Sequence, residues 1–214
     1  MAYKIVFGRN RTTRDDVFAD IVQFFTDCGW TDVYTYTDAG KTAFQTSHAY
    51  VPGDVVVPAT LNGWVYICDR VGTSASSAPS WNTSAYGQVV SSGTTRFIAI
   101  PSGRVFSSQG EAGNGQLYYV YITKAMRAGV IDAMAALYFN PTTKILRYTP
   151  PRGANNTNTY VRFGVSTLEG TAQTEYFHGD KDMVSIHARN GTSSLGGFIC
   201  FRADEPLAQH TWTL

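Results

Sequence analysis

Apolar positions along the chain change period once, near residue 30. Val17, Ile21, Phe24, Phe25 and Cys28 recur at i, i+4, i+7, i+8 and i+11, with Phe18 and Val22 widening the stripe, which predicts one amphipathic helix over residues 14 to 28. Thr12 and Thr13 offer hydroxyl caps, Asp15 and Asp16 place acids in the first turn, and Gly29 with Trp30 predicts a left-handed stop followed by a hydrophobic contact. From residue 32 onward the pattern is that of strands. Residues 32 to 37 alternate, and short runs rich in Val, Ile, Tyr, Phe and Thr follow at 55–57, 64–68, 96–100, 117–123, 160–165, 183–188 and 197–202. Gly, Ser, Asn and Pro punctuate them, and no helical pattern intervenes. Residues 124 to 139 mix helix formers with Gly129, Val130 and Ile131, and are read as strand running into the Asn140-Pro141 turn.

The expected fold is therefore mainly β: a β-sandwich-like body with one amino-terminal helix and a small inserted β-meander module. The expected division is residues 1–45 as strand and helix of the body, 46–99 as the module, and 100–214 as the remainder of the body. Polar stretches at 72–84, 107–116 and 150–159 are expected to be surface loops, either binding material or plain connectors.

The meander runs through Tyr50-Val51-Pro52-Gly53-Asp54-Val55, Asn62-Gly63-Trp64-Val65-Tyr66, Gly72-Thr73-Ser74 and Pro79-Ser80-Trp81. Gly53-Asp54 is expected to turn the chain into a strand, Asn62-Gly63 to make a tight hairpin, and Pro79 with Trp81 to fold back as a lid. This order, Tyr-x-x-Gly-Asp-x-Val, Asn-Gly-x-x-Tyr, Gly-x-Ser and Pro-x-Trp, resembles a small β module of bacteriophage tail and fibre proteins. It is distantly similar to the chitin-binding modules of bacterial glycoside hydrolases. The second likeness implies that Tyr50, Trp64, Tyr66 and Trp81 contact a glycan or a partner; the competing expectation is that these rings fill the module's own core. The stretch from Thr174 to Arg202, with its Asp180-Lys181-Asp182 turn and Asn190-Gly191, resembles virion proteins of tailed phages.

Composition narrows the function classes. The 17 Lys and Arg offset 16 Asp and Glu, leaving a formal charge of +1, which argues against a dedicated nucleic-acid binder. Only 15% of residues are charged while 14% are aromatic, 13 of them Tyr, a surface suited to burial against neighbours. Cys28, Cys68 and Cys200 lack metal-ligand or disulfide spacing and read as buried thiols. The opening residues lack a secretory h-region, so synthesis in a host bacterial cytoplasm is expected, and no apolar run is long enough to span a bilayer. The sequons at Asn82, Asn155 and Asn190 would matter only in a secretory pathway. His178, His187, Glu175, Asp180 and Asp182 are read as a solvated acidic turn rather than a metal site; oxygen ligands there would suit calcium better than zinc. His48 and His210 stand alone, and Arg9, Arg11 and Arg14 are read as a solvated basic face that could touch phosphate or an acidic partner. No nucleophile elbow, P-loop or dinucleotide fingerprint occurs.

These readings converge on a non-enzymatic virion protein without cofactor or metal, a tail, baseplate or neck (collar) subunit. Its expected partners are copies of itself, other virion proteins and, through the module, a host surface glycan. The alternative expectation is a carbohydrate- or receptor-binding module that recognises host polysaccharide.

Overall fold

The structure, a computed structural model, describes residues 4–81, 83, 86–110, 117–126, 128–136, 138–147, 162–166, 172–190 and 193–201. The fold is mainly β, several sheets with one helix, consistent with the β-sandwich-like body that the pattern predicts. The chain divides into two compact units: residues 1–33, 105–138 and 147–214 form the first, and residues 34–104 with 139–146 form the second.

The helix spans Arg14–Asp27. Thr13 caps it, its Oγ1 accepting from the Asp16 amide at 3.1 Å. The helix stops as the sequence predicts: Gly29 sits at φ +81°, its amide donates to the Thr26 carbonyl, and the Trp30 amide reaches back to the Phe25 carbonyl at 3.0 Å. The Trp30 and Phe25 rings then meet edge to face at 5.3 Å, the hydrophobic contact that accompanies such a stop. Val17, Ile21, Phe24 and Phe25 are buried against Phe106, Tyr118, Val120, Ile122, Ile131, Phe177 and Ile186, so the helix stripe and one face of a sheet share a core.

That sheet has nine strands among the described residues. Their spatial order is Lys4–Arg11, Gln173–Gly179, Met183–Asn190, Ser193–Phe201, Arg162–Ser166, Val130–Ala136, Tyr118–Thr123, Gly103–Ser108 and Thr31–Tyr36. Val130–Ala136 and Tyr138–Phe139 bear out the strand reading of the ambiguous segment, although Lys124 to Met126 are bends outside it. Two strands of this sheet lie outside the expected runs, Gly103–Ser108 and Gln173–Gly179. The first of them corrects the loop expected from Ser107, because both Ser107 and Ser108 are buried strand residues. Residues 111–116 and 150–159, Asn82, Asn155 and His210, and the side chain of Cys200, lie outside the described residues.

The second unit is built on a five-stranded sheet in the order Thr42–Ala43, Val55–Val57, Trp64–Arg70, Thr95–Pro101 and Val89–Ser92. It contains all of residues 46–99 and extends beyond them on both sides. Hydrogen bonds account for the wider boundary. Asp38 Oδ2 accepts from the Gly63 amide at 2.8 Å, Tyr36 Oη donates to the Lys144 carbonyl at 2.6 Å, and Lys144 Nζ donates to the Gly53 carbonyl at 3.1 Å.

Asn62-Gly63 does not form a two-residue hairpin. Val56 pairs with Tyr66 and Val55 with Ile67, so residues 58–63 make a longer connection. Asn62 instead closes the start of the next strand: its Oδ1 accepts from the Trp64 amide at 3.1 Å and its Nδ2 donates to Tyr66 Oη at 2.9 Å.

Candidate functional site

The four rings singled out in the sequence belong to one cluster, and three of them face inward. Tyr50, Trp64 and Tyr66 are buried with Val56, Cys68, Val90, Phe97 and Ala99. Trp64 and Tyr66 lie two apart on one strand and therefore share a face. Tyr50 Oη accepts from the Gln45 amide at 2.8 Å, and its ring meets Phe97 edge to face at 5.2 Å. Tyr66 is 0% exposed, and burial pushes its hydroxyl above the usual tyrosine range while the Asn62 hydrogen bond pulls it back. A sugar ring must reach a ring face to stack on it. Tyr50, Trp64 and Tyr66, at 0 to 4% exposure, offer none, so the expectation of glycan contact gives way at these three positions to the core reading.

Trp81 differs. It is half-buried, tilted over Tyr66 at a centroid distance of 4.4 Å and edge-on to Phe44 at 5.2 Å, which makes it the lid expected from the Pro-x-Trp order. Phe44, also half-buried, stacks on Tyr50 at 5.8 Å with an interplanar angle of 13°. His48 stands edge-on to Tyr50 at 4.8 Å and is exposed. His48, read from the sequence as standing alone, thus belongs to the cluster edge, and Phe44 was not singled out because it sits in the polar run Lys41 to Thr46, where a lone ring carries no periodic signal. The accessible aromatic surface of the cluster is thus the Trp81, Phe44 and His48 edge.

The first unit holds a different chemistry, an acidic pair under the helix. A bulge creates it. Val6 pairs with Phe177 and Phe7 with Tyr176, Gly8 at φ +70° is left over, and Arg9 and Arg11 then pair with Glu175 and Gln173. Because the bulge absorbs Gly8, Arg9 and Arg11 lie on the same face of the sheet as Val6, under the helix. There Arg9 Nη1 donates to Asp20 Oδ1 at 2.6 Å, Arg11 Nη2 to the same oxygen at 3.1 Å, and Arg11 Nε to Asp20 Oδ2. Arg9 and Arg11 therefore do not form the free basic face read from the sequence: both stay partly exposed, but both donate to Asp20, which offsets one of their two charges.

Glu175 is enclosed beside this fork; no donor among the described residues reaches its oxygens, and when protonated it donates to Asp20. Burial first, then the charge of Asp20, pushes its carboxyl up to about 8, with Arg11 and Arg9 pulling the other way. Burial also works against Asp20, but the Arg11 hydrogen bond and the charges of Arg9 and Arg11 outweigh it and hold that carboxyl below its usual range. The arrangement favours one ionised and one protonated acid.

Glu175 is thereby separated in role from Asp180 and Asp182. Asp180 Oδ1 accepts from the amides of Asp182 and Met183 at 2.8 and 2.9 Å, closing the turn between two strands. Among the described residues no group of three or more His, Cys, Asp or Glu side chains converges as metal ligands would. No helix among them is long and apolar enough to cross a membrane. Comparison with protein-family models, with curated proteins and with solved structures finds no match to this chain.

Proposed function

We propose that the chain is a non-enzymatic structural subunit of a tailed-bacteriophage virion, in its tail, baseplate or neck, where it binds copies of itself and neighbouring virion proteins. The observation that carries this reading is the inward use of the module's aromatic residues. Rings arranged in the phage-like order Tyr-x-x-Gly-Asp-x-Val and Pro-x-Trp build a packed core, while Val51, Leu61, Val71 and Val89 stay exposed on the outside. Such a module works as a rigid shape inserted in a β body, and shape is what repeated contacts in a closed assembly require. Sparse ionic groups lower the cost of drying those contacts.

The reading is tested by mass spectrometry of particles purified from a lysate of the strain that encodes the chain. Its peptides are expected at a fixed ratio to the major structural proteins through successive density gradients. Loss of the chain from the particles, with free protein left at the top of the gradient, removes the proposal.

One observation favours a second reading, host-glycan binding, at the Trp81 and Phe44 edge, since those two rings keep partial exposure. Under it, Trp81→Ala abolishes retention on immobilised host polysaccharide while the circular dichroism of the protein is unchanged. Retention equal to that of the parent chain excludes it.

A further inference from the structure

Glu175, on the strand Gln173–Gly179 that pairs with the edge strand Lys4–Arg11, interacts with Asp20 of the helix, and only Asp20 is supplied with donors. Both arginines of the edge strand spend their hydrogen bonds on Asp20, whereas no donor among the described residues reaches Glu175, whose side-chain hydrogen bond is the one its own proton makes to Asp20. Gln173, two residues away on the same face, is equally enclosed, and its amide nitrogen and oxygen are without a partner among the described residues. The strand on the other side of Glu175 places Ala188 opposite it and contributes no charge there. The charged groups acting on Glu175 are thus Asp20 from the helix and Arg11 and Arg9 from the edge strand. An ionised carboxylate without donors in an enclosed space is costly, and a proton removes that cost.

We propose that the seam between the helix and the edge strand is a proton-operated latch. One proton on Glu175 leaves Asp20 as the sole negative charge for Arg9 and Arg11 to neutralise; its loss puts a second carboxylate into the same enclosed space and loosens the helix from the edge strand. The device is independent of the assembly role. Its direction follows from proton linkage: a carboxyl that holds its proton more tightly in the folded chain than in the unfolded one stabilises the fold most at low pH. That stabilisation is lost as pH rises from the unfolded value, 4.5, toward about 8, and is flat above it.

Hydrogen exchange of the full chain between pH 5.5 and 9 tests the latch. Protection factors of amides in Arg14–Asp27, corrected for intrinsic exchange, are expected to fall by up to about tenfold per pH unit until pH 8, the signature of one proton. In Glu175→Gln, which keeps the size and removes the titration, the same profile is expected to be flat. Identical profiles for the two proteins overturn the proposal. A second measurement needs no variant: the carbon-13 carboxyl resonance of Glu175 in the parent protein is expected to titrate near pH 8, and a midpoint between 4 and 5 overturns the latch whether or not the variant folds.

Discussion

Gly53 joins two halves of the inserted unit within a space that admits no side chain. Its φ is +97°, and a Cβ built there would stand 2.7 Å from the Thr142 carbonyl oxygen. Asp54 completes the corner, its Oδ2 accepting from the Val51 amide at 2.8 Å. Gly53→Ala thus meets both backbone strain and a backbone clash, and is expected to destabilise by more than about 1 kcal/mol in urea unfolding; Gly53→Asn tolerates the φ but carries the same Cβ against the Thr142 oxygen, so it is expected to destabilise as well. The aromatic positions give a graded pair of outcomes. Trp64→Ala empties a filled core and is expected to cost about 3–5 kcal/mol, while Trp81→Ala, at the half-buried lid, is expected to cost clearly less. Equal losses at the two positions contradict the geometry. The sequence identifies these rings as a set but not which way they point, and Trp64–Arg70 shows why. Val65 and Ile67 are as buried as Trp64, Tyr66 and Cys68, so both faces of that strand are covered and alternation carries no inside or outside.

At the scale of elements, the helix was legible to within a residue because its cap, its stripe and its stop are each encoded locally. Thr13→Ala removes the bond to the Asp16 amide and is expected to lower stability by about 1 kcal/mol. Trp30 ties the helix end to a distant turn, its Nε1 donating to the Asp180 carbonyl at 2.9 Å. Trp30→Phe is expected to cost at least the roughly 1 kcal/mol of that bond. Gln173–Gly179 escaped notice for an opposite reason. Its buried positions are Gln173, Glu175, Phe177 and Gly179, and its more accessible ones include Tyr176 and His178, so the polarity pattern of the strand is nearly inverted. What encloses that face, the helix with Asp20 and the edge strand with Arg9 and Arg11, is not visible in the local pattern. Gly8 was equally silent, yet the bulge that absorbs it is what keeps Arg9 and Arg11 on the face of Val6. Deleting Gly8 restores an unbroken register with Arg9 still opposite Glu175 and Arg11 opposite Gln173, so their bonds to Asp20 and helix protection in hydrogen exchange are expected to survive; loss of that protection at every pH would contradict the register.

Across the whole molecule, only 15% of residues are charged. Among the described residues some of these charges are paired within the chain: Arg9 and Arg11 with Asp20, Arg96 with Asp69 at 2.5 Å, and Lys124 with Asp15. Large apolar side chains such as Ile5, Val51, Leu61, Val71 and Val89 nevertheless stay exposed. An assembly made by such a surface rests on apolar and hydroxyl contacts rather than on ion pairs. Salt screens exposed charges, with a Debye length of about 3 Å at 1 M, but leaves apolar contact intact or strengthened. Light scattering on the purified chain is therefore expected to give a mass that is a whole multiple of 23.4 kDa and is unchanged between about 0.05 and 1 M sodium chloride. An assembly that dissolves with added salt would place ion pairs at its contacts and contradict this account of the surface. A mass of 23.4 kDa at every concentration and salt would remove self-association altogether and leave binding to other virion proteins as the only assembly role for the same exposed side chains.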